Sequence, residues 1–362
     1  MQRAMVLARK GTALASPNPM VGCVLVREGQ IVGEGFHQYE WRDHAEVVAI
    51  KSAGEKSQGA TMYVTLEPCN HTGRTAPCTE AIIKAGIQRV VATIVDPNAQ
   101  VAGRGFERLR NADVEVFTGL MEEEARRLNE PFAKWIRSKT PFVTLKSAMT
   151  LDGQLALPQS GKPKRSTWIT SEESRAEVQR MRHASDALLT GIGTVLADDP
   201  LLTDRSGFPR RRRLLRVILD SKLRLSPRAR IVKTVDDDLL VFTDASLKSA
   251  KARALQKCGV EIASAKMRKG RLDLTDVLKQ LGKREILSVL LEAGSSLNGA
   301  ALAADIVDRV FLFYAPKIAG ATDVPFAQAA KLKHAAFRDL TIRQFGPDFA
   351  VEGMLHDVYG TQ

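Results

Sequence analysis

Thr61-Met62-Tyr63-Val64-Thr65-Leu66-Glu67-Pro68-Cys69, continued by Asn70-His71-Thr72-Gly73-Arg74-Thr75-Ala76-Pro77-Cys78, is the stretch that decides how the first part of this chain folds. Residues 61–66 are rich in β-branched and apolar side chains and predict a strand. The strand runs into a Pro-Cys pair. A polar, glycine-containing segment then leads to a second Pro-Cys pair, which opens a helix over 79–85 stopped by Gly86. Upstream, Asp43 stands where a cap belongs, before a helix predicted to about Ala53 and ended by Gly54. A strand at 20–26 and its hairpin partner at 31–36 precede that helix, with a weak helix at 3–14. Strands at 87–95 and 114–117 and a charged helix at 120–138 follow. Helices alternating with strands predict a sheet covered by helices, the α/β class.

The charged helix meets Lys139-Thr140-Pro141. Proline disfavours helix in the residue before it, so the chain is divided here into domains 1–139 and 140–362. The second repeats the α/β rhythm. Strands are predicted at 142–148, 185–190, 214–219, 239–243, 259–263, 286–291 and 308–314, with helices at 171–183, 246–257, 272–281 and 296–304. Residues 338–344 and 348–352 read as extended, and no repeat period argues for a solenoid.

With 362 residues, 44% apolar and 26% charged, the composition excludes a disordered tail and a membrane protein. No apolar run approaches the roughly 18 residues of a spanning helix. The N-terminus opens like a signal peptide, but Arg9 and Lys10 interrupt it. Cys23, Cys69, Cys78 and Cys258 are too few for a disulfide scaffold, which favours a reducing compartment. A soluble cytoplasmic protein is expected. The net charge of +12 could steer anions, either nucleic acid or phosphorylated metabolites. Arg210-Arg211-Arg212-Arg213 reads as a solvated loop. No aromatic residues interleave with it, so the stacking platform of a single-strand binder is not evident.

His44-Ala45-Glu46, Pro68-Cys69 and Pro77-Cys78 carry the chemistry of the first half. One imidazole and two thiolates make a three-ligand zinc set that leaves the fourth tetrahedral position to water. Zinc lowers the pKa of such a water toward about 7. A helix N-terminus at Cys78 helps keep a thiolate ionised. Glu46, two residues past His44, is placed to take the water proton and pass it to a leaving amine. This is the H-x-E…P-C…C pattern of zinc deaminases. The cysteines are separated by eight residues where compact deaminases have about two. The insert could form a lip for a larger, phosphorylated substrate, with His71 and Arg74 as donors. His71 is also spaced to ligate beside Cys69, although His44 is the preferred third ligand. Asn18, between Pro17 and Pro19, would point from a turn toward the same region. Cys23 reads as core, and Cys258 carries no signal.

In the second half, Ser171 with Ser174, or Thr170 with Glu173, could cap the 171–183 helix. Asp198-Asp199-Pro200, with Arg205 near, is an unusual acidic pair. Val289-Leu290-Leu291-Glu292-Ala293-Gly294-Ser295-Ser296-Leu297-Asn298-Gly299-Ala300 is a buried strand running through glycine and serines into a helix. That geometry aims backbone N–H groups at a phosphate. It is neither G-x-G-x-x-G nor a P-loop, which disfavours a standard dinucleotide-binding fold and ATP use of that kind.

Taken together, these residues resemble the bifunctional deaminase/reductases of riboflavin biosynthesis, the RibD family. The first half matches through Ser16-Pro17-Asn18-Pro19-Met20-Val21-Gly22, His44-Ala45-Glu46 and the 68–78 stretch. The second matches through residues 146–153, 168–171 and 194–203 and through Glu292-Ala293-Gly294. Ala76 stands where the family usually has a second proline, and Ala293 where a second glycine is common. The resemblance covers essentially the whole chain. It implies an N-terminal cytidine-deaminase-like three-layer domain plus a C-terminal dihydrofolate-reductase-like domain, with zinc (Zn2+) and NADPH as cofactors. It implies deamination of 2,5-diamino-6-ribosylamino-4(3H)-pyrimidinone 5′-phosphate, then reduction of the ribosyl group to ribityl. By the same resemblance, Ala148, Trp168, Thr194, Asp198, Ser221 and Gly294, Ser295, Ser296, Leu297, Asn298, Gly299 and Ala300 line the cofactor. Ser166, Arg182, Leu202, Arg205 and Glu292 face the substrate, and Lys146 and Asp198 are candidates for polarising or relaying a proton. The expected partners are the phosphorylated pyrimidine substrate and further copies of the chain, with no nucleic acid and no membrane. Two other readings stay open. One is a nucleic-acid deaminase, favoured by the charge; the other is a binding module whose structural zinc takes His71 as a fourth ligand.

Overall fold

A computed structural model describes residues 1–73, 75–99, 101–157, 168–320, 324–328 and 336–360. The chain divides into two compact units: Met1–Lys139 with Pro209–Arg212 and Val358–Gln362, and Thr140–Phe208 with Arg213–Asp357. Two short segments from the far side of residue 140 therefore group with the first unit.

The first unit contains α1 (Gln2–Arg9), β1 (Gly22–Arg27), β2 (Gln30–Phe36), α2 (Ala45–Ala53), β3 (Thr61–Val64), α3 (Cys78–Lys84), β4 (Arg89–Ala92), α4 (Arg104–Arg110), β5 (Glu115–Phe117) and α5 (Glu122–Ser138). Its sheet runs β2-β1-β3-β4-β5. β1 is antiparallel to β2 and β3, while β3, β4 and β5 are parallel. Successive strand residues point to opposite faces, and both faces are covered. Cys23, Leu25, Met62, Val64, Val90 and Ala92 pack with Ala45, Ala49, Ile82 and Phe106. Val24, Val26 and Tyr63 meet Ala4 and Leu7 of α1 on the other side. The unit thus has three layers.

Glycine lets α2 lie directly on β2. A Cβ at Gly33 would run into the Ala49 carbonyl, and one at Gly35 into the Ala45 carbonyl. That close approach brings the N-terminus of α2 to the sheet. The cap of α2 is His44 rather than Asp43, whose carboxylate instead accepts from Lys51 Nζ at 2.6 Å. In α5, Pro131 removes a backbone donor and the helix breaks at Asn129 (φ −111°, ψ 15°). The Asn129 amide then accepts from Met20 N at 2.8 Å and donates to Met20 O at 3.0 Å.

The second unit contains β6 (Phe142–Thr150), α6 (Glu172–Ala184), β7 (Ala187–Gly191), α7 (Ile192–Asp198), β8 (Leu215–Leu219), α8 (Arg230–Lys233), β9 (Leu239–Thr243), α9 (Ala250–Lys257), β10 (Glu261–Ser264), β11 (Met267–Arg268), β12 (Arg271–Leu272), α10 (Leu274–Lys283), β13 (Ser288–Glu292), α11 (Ser295–Ala303), β14 (Arg309–Ala315), β15 (Arg338–Phe345) and β16 (Asp348–Met354). Nine strands form one sheet, β10-β9-β8-β7-β13-β6-β14-β16-β15. It is parallel from β10 to β14, and β16 and β15 add antiparallel. Leu145, Leu189, Val217 and Leu291 pack on one face with Val277, Leu281 and Ala301. Leu188, Ile218 and Val241 pack on the other with Ile231, Ala252 and Leu255. Such period-2 strands, buried on both faces, read as continuous apolar runs. Of the two caps expected for α6, Ser171 is the one used: its hydroxyl accepts from Ser174 N at 3.2 Å. Among the described residues, no helix is long and apolar enough to cross a membrane.

Candidate active sites

In the first unit, three elements converge. His44 precedes the first residue of α2, Cys69 follows β3, and Cys78 is the first residue of α3. His44 Nδ1 lies 3.2 Å from Cys78 Sγ and 3.5 Å from Cys69 Sγ. Tetrahedral zinc with ordinary Zn–S and Zn–N lengths sets N and S ligands about 3.6 Å apart, so this donor set fits the metal. The Cys78 N–H, at the helix N-terminus, points at Cys69 Sγ at 3.4 Å. Hydrogen bonding from Cys78 takes the Cys69 thiol down to about 4, and its bond to Cys69 lifts His44 to about 9. Burial pushes the Glu46 carboxyl above its usual range. Glu46 is in the first turn of α2, 4% exposed, and outside the ligand cluster.

The ligand atoms of His44, Cys69 and Cys78 lie within 4.8 Å of one another, and no fourth His, Cys, Asp or Glu joins them among the described residues. His71 is exposed and is not a ligand in this arrangement, which removes the closed site that a structural-zinc module requires. Arg74 lies outside the described residues. Asn18 does reach the centre, through a residue that the sequence did not single out. Its Nδ2 is 3.0 Å from Nε2 of buried His37. His37 Nδ1 is 3.1 Å from Asp43 O, and its ring meets the His44 ring edge-on, centroids 5.3 Å apart. A lone histidine after a strand carries no motif, so nothing in the spacing marked it. Glu67 precedes the Pro68-Cys69 turn. Its buried carboxylate accepts from the N–H groups of Asp96, Gly103, Gly105 and Phe106 at 2.9 to 3.4 Å, capping α4. A Cβ at Gly105 would strike the Pro68 carbonyl. The start of α4 is thereby seated against the Pro68-Cys69 turn.

In the second unit, the residues of interest gather where parallel strands end, the usual place for ligands in open α/β sheets. β8, β7, β13 and β6 are neighbours, with Gly191 opposite Leu219 and Glu292 opposite Lys146. Arg182 Nε and Nη2 grip the Glu292 carboxylate at 2.7 and 3.0 Å, and Lys146 Nζ is 3.8 Å away. Burial lowers the pKa of Lys146. For Glu292, burial works upward, but Arg182 and Lys146 hold the carboxyl below its usual range. Arg182 Nη1 also donates to Thr203 O at 3.0 Å, tying this cluster to the loop of Leu202 and Arg205. Leu202 is buried with a left-handed backbone (φ 56°), while Arg205 is exposed.

Gly294 caps α11, and among the described residues the buried hydroxyls of Ser295, the first residue of α11, and of Thr190, near the end of β7, have no hydrogen-bond partner. A Cβ at Gly294 would be 3.9 Å from Thr194 Oγ1, and one at Gly191 would be 3.5 Å from Leu297. The N-termini of α7 and α11 therefore stand side by side over orphaned hydroxyls, a cradle that suits the phosphates of a dinucleotide. Ser296, Gly299 and Ala300 continue α11, and the Asn298 amide donates to Phe326 O at 2.9 Å. Ala148 lies on β6 opposite Phe313, and Ser221 follows β8. Trp168 is 62% exposed with the Arg175 guanidinium 5.1 Å from its ring centre, and Asp198 is the exposed last residue of α7. Ser166 lies outside the described residues.

Residues 1–108 match the family model described as the cytidine and deoxycytidylate deaminase zinc-binding region, and residues 141–351 match the RibD C-terminal domain. The riboflavin biosynthesis protein RibD of Escherichia coli (strain K12) is 43% identical over 96% of each chain. The protein of the same name from Aquifex aeolicus is 44% identical over 88% of this chain and 87% of that one. Among solved structures, Acinetobacter baumannii RibD superposes with a TM-score of 0.86 at 37% identity, covering 98% of both chains. A Thermotoga maritima diaminohydroxyphosphoribosylaminopyrimidine deaminase/5-amino-6-(5-phosphoribosylamino)uracil reductase superposes with a TM-score of 0.85 at 39% identity, over 98% of this chain and 97% of that one.

Proposed function

We propose, from the premise that this chain belongs to the RibD family of bifunctional riboflavin-biosynthesis enzymes, that its first unit deaminates 2,5-diamino-6-ribosylamino-4(3H)-pyrimidinone 5′-phosphate. The second unit then reduces the ribosyl group with NADPH, giving 5-amino-6-(5-phospho-ribitylamino)uracil. The observation that carries the reading is the three-ligand cluster of His44, Cys69 and Cys78 beside a buried, non-ligating carboxylate.

When bound, zinc supplies Lewis-acid activation of a water at neutral pH. Glu46 moves the protons. Its carboxylate takes one from the attacking water and delivers one to the departing amino nitrogen, a task suited to a carboxyl raised by burial. Asn18 is proposed to bind the substrate and His37 to orient the Asn18 amide toward it. His71, on the exposed lip, is proposed to meet the ribosyl phosphate.

When bound, NADPH supplies a hydride for C1′ of the opened ribosyl group. Around it, Gly294–Ala300, Thr190 and Thr194 would hold cofactor phosphates with backbone N–H groups and hydroxyls. Lys146, whose pKa burial lowers and which is held beside Glu292, is placed as an ammonium to hand a proton to the ring oxygen as the sugar opens. Arg182 fixes Glu292, and Arg205 offers a rigid fork for the 5′-phosphate. The thiols at Cys69 and Cys78 need a reducing compartment, so the cytoplasm is proposed as the location. A homo-oligomer is proposed, with no nucleic-acid or membrane partner.

Incubation with the diaminopyrimidine phosphate, with and without NADPH, tests both halves. Ammonia release in the absence of NADPH and NADPH oxidation that follows it are the expected results. Neither signal from zinc-loaded protein would overturn the reading.

A further inference from the structure

The arginine run at 210–213 is a sequence feature that the proposed chemistry leaves unused. It is not a uniformly solvated loop: the Arg211 side chain is only 15% exposed. Its backbone N–H donates to Ala13 O at 2.9 Å, and its Nε donates to Ser16 O at 2.9 Å. Arg212 Nη2 adds a bond to Ser16 Oγ at 3.1 Å. The Arg211 guanidinium lies 4.1 Å from the centre of the Tyr39 ring, and Nη1 is 3.4 Å from Glu40. Tyr39 N in turn donates to Leu14 O at 3.1 Å.

One arginine therefore clasps two loops. The first, residues 11–18, is a string of turns in which Ala13 holds a left-handed backbone (φ 59°). Such a conformation in a non-glycine residue persists where its surroundings over-determine it, and here the Ala13 carbonyl is fixed by Arg211. The second loop joins β2 to α2 and leads to His44. Both end at the metal centre. Asn18 N donates to Ala15 O at 2.9 Å, and the Asn18 amide meets His37, whose ring abuts His44.

We propose that Arg211 is a positioning residue for the deaminase centre: it sets the 11–18 turn against Tyr39 and so fixes where Asn18 presents its amide. The inference rests on the deaminase reading above and assigns Arg211 no contact with substrate or metal. A misplacement of about 1 Å in a positioning group costs up to about 100-fold in rate. Stacking and a two-pronged grip are properties of the guanidinium that a lysine lacks.

The test uses the full-length, zinc-loaded protein. Arg211→Ala is expected to lower deaminase kcat/KM about tenfold or more, and Arg211→Lys to recover little of it. Zinc content and NADPH-dependent reduction should stay at wild-type levels. Arg213→Ala, whose side chain pairs instead with Asp236, should be neutral. The decisive readout is a double-mutant cycle with Asn18→Ala. If Arg211 acts through Asn18, its loss should cost little more once Asn18 is gone. Fully additive losses, or wild-type deamination in Arg211→Ala, would overturn the proposal. So would zinc loss, or an equal fall of both activities, in the milder Arg211→Lys variant. If the wild-type protein releases no ammonia, the functional reading fails first, and this inference falls with it.

Discussion

Replacing Gly35 by alanine tests the link between packing and chemistry in a single methyl group. Gly35 lies on β2 beneath α2, and a Cβ there would come within 2.6 Å of Ala49 N and 2.8 Å of Val48 Cβ, besides striking the Ala45 carbonyl. Ordinary contact begins at 3.4 Å, so the helix backbone must retreat by about 0.8 Å at Ala49 and by more at the Ala45 carbonyl, approaching a covalent bond length. Overpacking of this kind costs about 1–3 kcal/mol. The retreating turn is the one that carries His44 and Glu46, whereas Cys69 and Cys78 stand on other elements. Zinc should consequently bind more weakly, and the Glu46 proton transfer should lose alignment, for up to about a 100-fold fall in deaminase kcat/KM. The reductase site shares none of these contacts and serves as the control within the same chain. The assay is ammonia release from the diaminopyrimidine phosphate against NADPH oxidation on the already deaminated substrate in Gly35→Ala, with zinc titration and a urea melt. Unchanged zinc affinity, deamination and stability would show that α2 is not seated on the Gly35 backbone as described.

Glu46→Gln should retain stoichiometric zinc and reductase activity and lose deamination by at least about 100-fold, measured by metal analysis and the two turnover assays. Cys69→Ser should lose both metal and deamination, and a variant still holding one zinc per chain would contradict the ligand set. In the second unit, His356 bridges Asp308 at 3.2 Å and Asp305 at 3.2 Å, and the bond to Asp308 raises its pKa. A raised histidine contributes stability below its unfolded pKa of about 6.5, and the contribution is lost as pH rises through the folded value. The pair is part-exposed, so the gap between wild type and His356→Asn should be at most about 1 kcal/mol. It should be present near pH 5.5 and gone in mildly alkaline buffer, as read by urea denaturation. A gap that grows with pH would reverse the assignment.

Much of the architecture was legible because it rests on local periodicity. The apolar runs at 239–243 and 286–291 could hardly be anything but buried strands, and Gly54 and Gly86 marked helix ends that the structure shows. Helices α4, α7 and α8 were not legible. They span seven, seven and four residues, too short for a 3.6-residue period to emerge above loop composition; α3, equally short, was legible from Pro77 before it and Gly86 after it rather than from its period. The cap of α2 was misplaced by one residue because Asp43 has the better capping chemistry. Once Lys51 takes that carboxylate, His44 occupies the position and its imidazole turns toward the sulfurs.

What the sequence determined by itself was the inventory of chemistry: an imidazole, two thiols and a neighbouring carboxylate, in an order and spacing that few uses besides a zinc centre would require. It also determined the alternation of apolar residues that makes two helix-covered sheets. Only the tertiary structure decided that His71 stays outside the ligand cluster, that His37 connects Asn18 to that cluster, and that Arg211 reaches back to the turn at Ala13. The reason is physical. Ligand types and periodicities are properties of short stretches, whereas a hydrogen bond between residues 16 and 211 depends on how every intervening element packs.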